Sequence, residues 1–123
     1  MARITWFEYF TEDAERDLAF YKEAFGWESQ KWGDMSYWLV TTGDKAEPGI
    51  DGAIGLPLMP EMTQRVVNTI SVDDTDAFVA KAVAAGGTVA VPKQAVPGTG
   101  WLAYIADPAG IIFGVMQYDQ NAK

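Results

Sequence analysis

A repeated order of secondary-structure elements constrains the fold of this 123-residue chain more than any other feature of its sequence. A strand, a helix and three further strands are predicted in residues 4–58, and the same order returns in residues 66–118. Shifting the chain by 60 residues aligns Asp13 with Asp73 and Gly26 with Gly86, near the ends of the predicted helices. The sequence therefore predicts an α+β protein made of two βαβββ modules.

The length suits a single domain covering residues 1–123. Module 1 is expected at about residues 3–58 and module 2 at about residues 65–118, joined by a linker at about residues 57–64 with two prolines. Because two helices cover only one face of so many strands, the other face must meet something else. We expect a curled eight-stranded mixed sheet around a cavity, and we expect function in that cavity.

The apolar spacing of each predicted helix indicates the face that packs on its sheet. In the first helix this face comprises Ala14, Leu18, Tyr21 and Phe25, and in the second it comprises Phe78, Val79, Ala82 and Val83. The second module then continues with strands at residues 88–91, 100–106 and 111–118, the last two joined by a hairpin turn at residues 107–110.

The charge balance argues against nucleic acid and membrane as partners. Seventeen acidic and nine scattered basic residues give a net charge of −8, which repels a phosphate backbone. No apolar run approaches the ~20 residues of a membrane span. The N-terminal residues lack the apolar core of a signal peptide, so a cytoplasmic location is expected.

The chain contains neither histidine nor cysteine. Those absences exclude disulfides, thiol catalysis and nucleophiles activated by histidine. They also remove the side-chain nitrogen and sulfur ligands that Zn, Cu and Ni normally use. No cofactor is therefore expected, although carboxylates alone leave an oxygen-only Mg or Ca site open.

Several short motifs, in order and spacing, resemble the vicinal oxygen chelate superfamily of glyoxalase I, extradiol dioxygenases and bleomycin-resistance proteins. The marks run over nearly the whole chain and comprise residues 6–8, Asp13 with Arg16, residues 20–21, 25–27, 71–74, 84–87, 100–101, 107–110 and 113–114. The resemblance is greatest to the short glyoxalase-like branch. It implies the fold already predicted and a homodimer, which uncovered sheet edges also favour.

Metal-using members of that superfamily hold the ion with four inward-facing side chains, two from each module. The matching positions in this chain are Trp6, Gly55, Val67 and Gly114, none of which has a side chain that can ligate a cation. The resemblance therefore implies a metal-independent member, which would recognise its ligand by shape and stacking.

Glu8 is the candidate catalytic residue. If Trp6 faces the cavity, as the resemblance implies, strand alternation puts Glu8 on the same face and Phe7 and Tyr9 on the helix-covered face. A carboxylate in an apolar cavity holds its proton more tightly, which suits a general base. The alternative is a structural Glu8, paired with an arginine, a tyrosine or a backbone amide.

The remaining candidate ligand contacts are aromatic or sulfur-containing: Trp6, Tyr37, Trp101 and Met116. Flat aromatic walls bind planar or cationic ligands, although any single tryptophan can equally fill the core. The hydroxyls of Tyr37 and Tyr104 could meet a ligand carbonyl or phenol, but a shift of one residue in register would invert their facing. Met116 shares the strand face of Gly114.

Three functions agree with this pattern. The first is binding of an apolar or aromatic small molecule, neutral or cationic, against Trp6, Glu8 and Trp101. The second is a glyoxalase-like lyase or isomerase in which Glu8 is the general base. The third is an interaction module whose cavity is filled by its own side chains.

Overall fold

The structure, a computed structural model, describes residues 2–123 and divides the chain into two compact units. The first unit is Trp6–Val66, and the second combines Val67–Lys123 with the N-terminal residues up to Thr5. Each unit contains the predicted strand, helix and three strands. The α+β class and the two βαβββ modules are confirmed.

The first unit contains one helix and a four-stranded mixed sheet. Its elements are β1 (Arg3–Phe10, of which residues 6–10 belong to this unit), α1 (Ala14–Phe25), β2 (Glu28–Lys31), β3 (Tyr37–Thr41) and β4 (Gly52–Gly55). The strand order is β2-β3-β4-β1. β4 runs parallel to β1 and antiparallel to β3.

Local sequence signals explain where α1 begins and ends. The Asp13 side chain accepts a hydrogen bond from the Arg16 N–H at 3.1 Å, which satisfies one of the free donors of the first turn. Gly26 adopts φ 75° and donates its N–H to the Lys22 carbonyl at 2.9 Å, as a left-handed C-terminal cap does. Both predicted helix limits are confirmed.

The core of the first unit lies between α1 and its sheet. Its buried residues are Phe7, Ala14, Val40 and Ile54, and Tyr9, Leu18, Tyr21, Trp27 and Trp38 pack against them. This arrangement confirms that Phe7 and Tyr9 point toward the helix. Phe25, expected in the same core, is instead 65% exposed; it is the last residue of α1, and its ring lies against Tyr21 outside the buried core.

The second unit repeats the arrangement. Its elements are β5 (Val66–Ser71), α2 (Thr75–Ala84), β6 (Thr88–Val96), β7 (Gly100–Ala106) and β8 (Ile112–Tyr118). The strand order is β5-β8-β7-β6, with β5 parallel to β8. The predicted hairpin turn before β8 is present, with Gly110 at φ 88° and its N–H bonded to the Asp107 carbonyl at 2.9 Å.

The core of the second unit also lies between helix and sheet. Val72, Ile105 and Val115 are buried there, and the partly buried residues packed against them are Ile70, Phe78, Val79, Ala82 and Phe113. Val83 is 46% exposed, so its predicted place in the core is wrong. Among the described residues, no helix has the length and apolar character needed to cross a membrane.

Strand β6 extends beyond its predicted end at residue 91. The strand continues through Pro92, although proline cannot donate to a sheet ladder. β6 is the last strand of its sheet, where a missing N–H costs no ladder bond, and the register shifts between Val89 and Val91 and again between Val91 and Gln94.

Two threonines of the second unit provide a matched test of buried hydroxyl groups. Thr5 Oγ1 is buried and has no hydrogen-bond partner among residues 2–123, whereas Thr75 Oγ1 donates to the Trp101 carbonyl at 2.7 Å. Thr5→Val should raise the free energy of unfolding by about 1 kcal/mol, because it removes an unsatisfied polar group. Thr75→Val should lower it by about 1–2 kcal/mol.

Urea denaturation of both variants measures these differences. Stabilisation by Thr75→Val, or destabilisation by Thr5→Val of more than about 1 kcal/mol, would contradict the assignment of partners.

Candidate functional site

Glu8 lies on the face of the first sheet that α1 does not cover. Phe7 and Tyr9 pack toward the helix, so alternation along β1 directs Glu8 and Trp6 to the opposite, helix-free face. Glu8 is only 4% exposed, and Trp6 is half-buried. These two residues lie opposite the helix-packed residues, as alternation predicted, and contact of this face with a ligand cavity stays a prediction.

A tyrosine hydroxyl satisfies the buried carboxylate. Tyr37 Oη donates to Glu8 Oε2 at 2.7 Å, a short distance typical of a hydrogen bond to a charged acceptor. Tyr37 pairs with Gly55 across β3 and β4, which fixes its side chain on the same helix-free face. The facing that the sequence left open is thereby settled, and Glu8 has the tyrosine partner of the structural alternative.

Gly55 allows Tyr37 to reach Glu8. A Cβ atom at position 55 would lie 2.8 Å from Tyr37 Cδ2, closer than real Cβ contacts, and 3.0 Å from the Ser36 carbonyl oxygen, a tight contact. The tyrosine ring therefore lies over a strand position that must remain without a side chain. We refer to Glu8, Tyr37 and Gly55 as the Glu8–Tyr37 pair and its glycine.

The residues at the positions of superfamily metal ligands do not fit a metal. In the first unit, the Tyr37 ring covers the position of a side chain at Gly55. In the second unit, a Cβ atom at Gly114 would lie 2.9 Å from Thr69 Oγ1. No group of three or more aspartates or glutamates able to hold an ion occurs within residues 2–123. No step of a reaction is therefore assigned to a metal.

Trp101 lies on the helix-covered face of the second sheet. It pairs with Gln117 across β7 and β8, and the Gln117 side chain accepts from the Thr75 N–H at the start of α2 at 3.1 Å. Met116 pairs with Leu102, one residue along each strand, and so faces the other way. Trp101 and Met116, both predicted to contact the ligand, therefore lie on opposite faces of the second sheet.

The Trp101 ring already has intramolecular partners. Its Nε1 donates to Asp119 Oδ2 at 3.0 Å, and Lys93 Nζ lies 5.2 Å from the ring centroid. Lys93 also pairs with Asp76 at 2.8 Å. The backbone N–H of Asn121 and the Trp101 indole both lower the pKa of Asp119. These contacts are those of a packed tryptophan, the alternative that the sequence left open.

The helix-free face of the second sheet includes Met116, Gly114 and Tyr104. Tyr104 pairs with Gly114 across β7 and β8, which settles its facing. Tyr104 and Met116 are 3% and 8% exposed, and Val67 is fully buried. Ligand contact by Met116 stays a prediction.

A cleft of about 760 Å³ opens at the C-terminal end of β1, where α1 begins. Its lining includes Tyr9, Tyr21 and Ile54. Its charged lining comprises Glu12, Asp13, Asp17, Arg16 and Arg65. No sequence pattern indicates this cleft, because residues 11–13 are typical only of a helix start and Arg65 is one of the scattered cations.

Hydrogen bonds and burial shift two pKa values in the cleft. The Thr11 hydroxyl and, to a smaller extent, Arg16 lower the pKa of Asp17. Burial raises the pKa of Tyr21, and nearby Tyr9 and Asp17 raise it further. At neutral pH the cleft thus presents an ionised Asp17 beside a neutral phenol.

Comparison with known sequences identifies related proteins. Residues 3–43 match the family described as "Bleomycin resistance protein-like N-terminal". A curated protein of Mycobacterium tuberculosis (strain CDC 1551 / Oshkosh), named "Putative glyoxylase CFP32", is 34% identical over 117 residues. The match covers 93% of this chain and 43% of that protein, so the chain spans less than half the length of its curated relative.

Solved structures with the same fold cover nearly all of the chain. A glyoxalase/bleomycin resistance protein/dioxygenase superfamily member from Vibrio splendidus 12B01 has a TM-score of 0.69 at 16% identity, covering 97% of this chain and 100% of that one. The Mn(II)-bound glyoxalase from Novosphingobium aromaticivorans has a TM-score of 0.66 at 22% identity, covering 99% of this chain and 41% of that one. At these identities, the likeness establishes the fold alone.

Loss of the Tyr37 hydroxyl should leave the buried Glu8 carboxylate without one of its donors. Tyr37→Phe is therefore expected to lower the free energy of unfolding by about 1.5–3 kcal/mol. Glu8→Gln combined with Tyr37→Phe should cost less than the sum of the two single changes, since the first weakens the same charge-assisted hydrogen bond that the second removes.

Chemical denaturation of the two single variants and the double variant measures this coupling. Tyr118→Phe, at an exposed position of β8, is the matched control and should change stability by less than about 0.5 kcal/mol. Strict additivity at positions 8 and 37 would show that the pair contributes no mutual stabilisation.

Proposed function

Because the chain belongs to the vicinal oxygen chelate superfamily, we propose that it binds a small organic molecule on the helix-free face of the first sheet, without a metal. The observation that carries this proposal is the Glu8–Tyr37 pair and its glycine. A phenol and a carboxylate are fixed on that face, beside Trp6, and the Tyr37 ring lies where a ligating side chain at position 55 would project.

The same residues define the chemical class of the ligand. A carboxylate accepts hydrogen bonds and repels anions, and the half-buried Trp6 offers an aromatic surface. The ligand is therefore an apolar or aromatic compound that is neutral or cationic. A cytoplasmic homodimer that does not bind nucleic acid stays a prediction from the sequence.

A glyoxalase-like lyase or isomerase is the second candidate function. It is favoured by the burial of Glu8, because desolvation suits a carboxylate to accept a proton from carbon beside a carbonyl group. In that reaction Glu8 would be the general base and Tyr37 the residue that orients it. The hydrogen bond between Tyr37 and Glu8 is compatible both with ligand binding and with catalysis.

Titration of intrinsic tryptophan fluorescence with aromatic amines, alcohols and carboxylates tests binding. A saturable change with amines or alcohols, and none with carboxylates, is expected. Glu8→Gln then separates the two functions: an enzyme should lose about 100-fold or more in turnover, whereas affinity for a neutral ligand should change by less than about threefold.

Glu23→Gln removes the same charge from an exposed position of α1 and should change neither quantity. If no member of the panel changes the fluorescence, the chain is an interaction module with a self-filled cavity, and the binding proposal fails.

Metal independence predicts that transition metals neither stabilise the protein nor support its binding. Added Mn(II) or Zn(II) should shift the thermal midpoint by less than about 1 °C, since an ion that binds only the folded state must raise it. Treatment with a chelator should leave ligand affinity unchanged. Stoichiometric metal in the purified protein, lost together with ligand binding on chelation, would contradict this part of the proposal.

A further inference from the structure

Trp32 lies on the helix-free face of the first sheet, directly across from Tyr37. Its backbone N–H donates to the Tyr37 carbonyl at 2.9 Å, which continues by one residue the register that pairs Lys31 with Trp38. Trp38 packs toward α1, so alternation directs the Trp32 side chain to the opposite face, beside that of Tyr37. The proposed function does not yet use this side chain.

The surroundings of Trp32 differ from those of the tryptophans that pack within the chain. Trp27 stacks on a tyrosine ring, Trp38 contacts a lysine ammonium group and Trp101 donates to an aspartate. Within residues 2–123, the side chains of Trp6 and Trp32 make no ring-stacking, cation–π or hydrogen-bond contact, and both lie on the helix-free face of the first sheet. Trp32 is 38% exposed, so its ring is open to an external partner.

The Tyr37 ring is turned away from Trp32. Its hydroxyl reaches Glu8 on β1, and its Cδ2 atom lies where a side chain at Gly55 on β4 would project. In the strand order β2-β3-β4-β1, this direction leads away from β2, next to which Trp32 lies. The half-buried Leu39, two residues further along β3, shares the face. The face beside Trp32 is therefore apolar, and the polar groups lie on its other side.

Two further apolar side chains are exposed at the same end of the sheet. Met35 is 61% exposed, and its N–H donates to the Trp32 carbonyl at 3.1 Å. Leu56 is 50% exposed, and its N–H donates to the Ser36 carbonyl at 3.2 Å. Exposed apolar side chains that lie together beside polar groups mark binding surfaces more often than single ones do.

The distance between the polar and the apolar parts of this face sets the length of a ligand that contacts both. Glu8 lies on β1 and Trp32 follows β2, three strand spacings away, or about 14 Å between backbones. The Tyr37 side chain covers part of that distance, because its hydroxyl already lies at Glu8. A compound of the size of one benzene ring at the Glu8–Tyr37 pair would not reach Trp32, whereas an elongated one would.

We propose that Trp32 binds the apolar arm of an elongated ligand whose polar group meets the Glu8–Tyr37 pair. The inference rests on the proposed function and narrows its ligand class to amphiphiles with a neutral hydrogen-bond donor at one end and an aryl or alkyl arm. Trp32 is then the residue that selects for the length of the arm.

Benzyl alcohol and phenylhexanol are suitable probes, because they carry the same hydroxyl and phenyl groups on a short and a long chain. In ¹H–¹⁵N NMR titrations, both should shift the amides of Glu8 and Tyr37. Phenylhexanol alone should shift the indole N–H signal of Trp32, which is identified by its loss in Trp32→Gln. Phenylhexanol should bind at least about tenfold more tightly, since each buried methylene group adds to affinity.

Substitution of Trp32 should act on the two probes unequally. Trp32→Ala is expected to weaken phenylhexanol binding about tenfold and benzyl alcohol binding less than about twofold. Trp32→Gln, a polar residue of intermediate size, should give the same unequal loss, so the test does not depend on the folding of one variant. Phe20→Ala is the matched control, since it removes an aromatic ring that is 58% exposed on α1 of the same unit. It should leave the ratio of the two affinities unchanged.

The outcomes separate this inference from the proposed function. If both alcohols bind at Glu8 and Tyr37 with equal affinity, or if Trp32→Ala and Trp32→Gln leave the ratio of affinities unchanged, the proposed function stands and this inference is wrong. A change of oligomeric state in Trp32→Ala, measured by sedimentation with that ratio unchanged, would show that a second copy of the chain covers Trp32 instead. If neither alcohol gives saturable shifts at Glu8 and Tyr37, both proposals fail.

Discussion

The hydrogen bond between Tyr37 and Glu8 is the interaction on which the rest of the first unit's helix-free face depends. A buried carboxylate is costly without a donor, and a tyrosine on β3 supplies one at 2.7 Å. The contact needs a strand position without a side chain between its partners, which Gly55 provides. Glu8 on β1, Tyr37 on β3 and Gly55 on β4 together provide a hydrogen-bond donor for the buried carboxylate and the space that this donor needs.

The steric contacts at Gly55 and Gly114 add to what the sequence implies about the predicted metal-ligand positions. The sequence shows only that residues unable to coordinate a cation stand at the superfamily positions. The structure adds that positions 55 and 114 are sterically closed, one by the Tyr37 ring and the other by Thr69 Oγ1. A side chain at either position would therefore meet groups that already pack or hydrogen-bond there.

The sequence predicted what depends on neighbouring residues. Short-range patterns predict the Asp13 and Gly26 caps, the two modules and the opposite facing of Phe7 and Glu8. The structure contains each of these features. The facing of Trp101 depended on register across β7 and β8, which alternation along one strand cannot supply. The cleft brings residues of the segment 9–21 close to Arg65, which is distant in sequence, so no short-range pattern predicts it.

Gly55, the last residue of β4, also limits the order in which substitutions at this site can accumulate during evolution. Any residue larger than glycine at position 55 meets the Tyr37 ring and the Ser36 backbone, so the ring would have to leave before a carboxylate could arrive. Removing Tyr37 first leaves Glu8 without that donor. Either order of replacement passes through a destabilised intermediate, so the effects of substitutions at positions 37 and 55 on stability are coupled rather than additive.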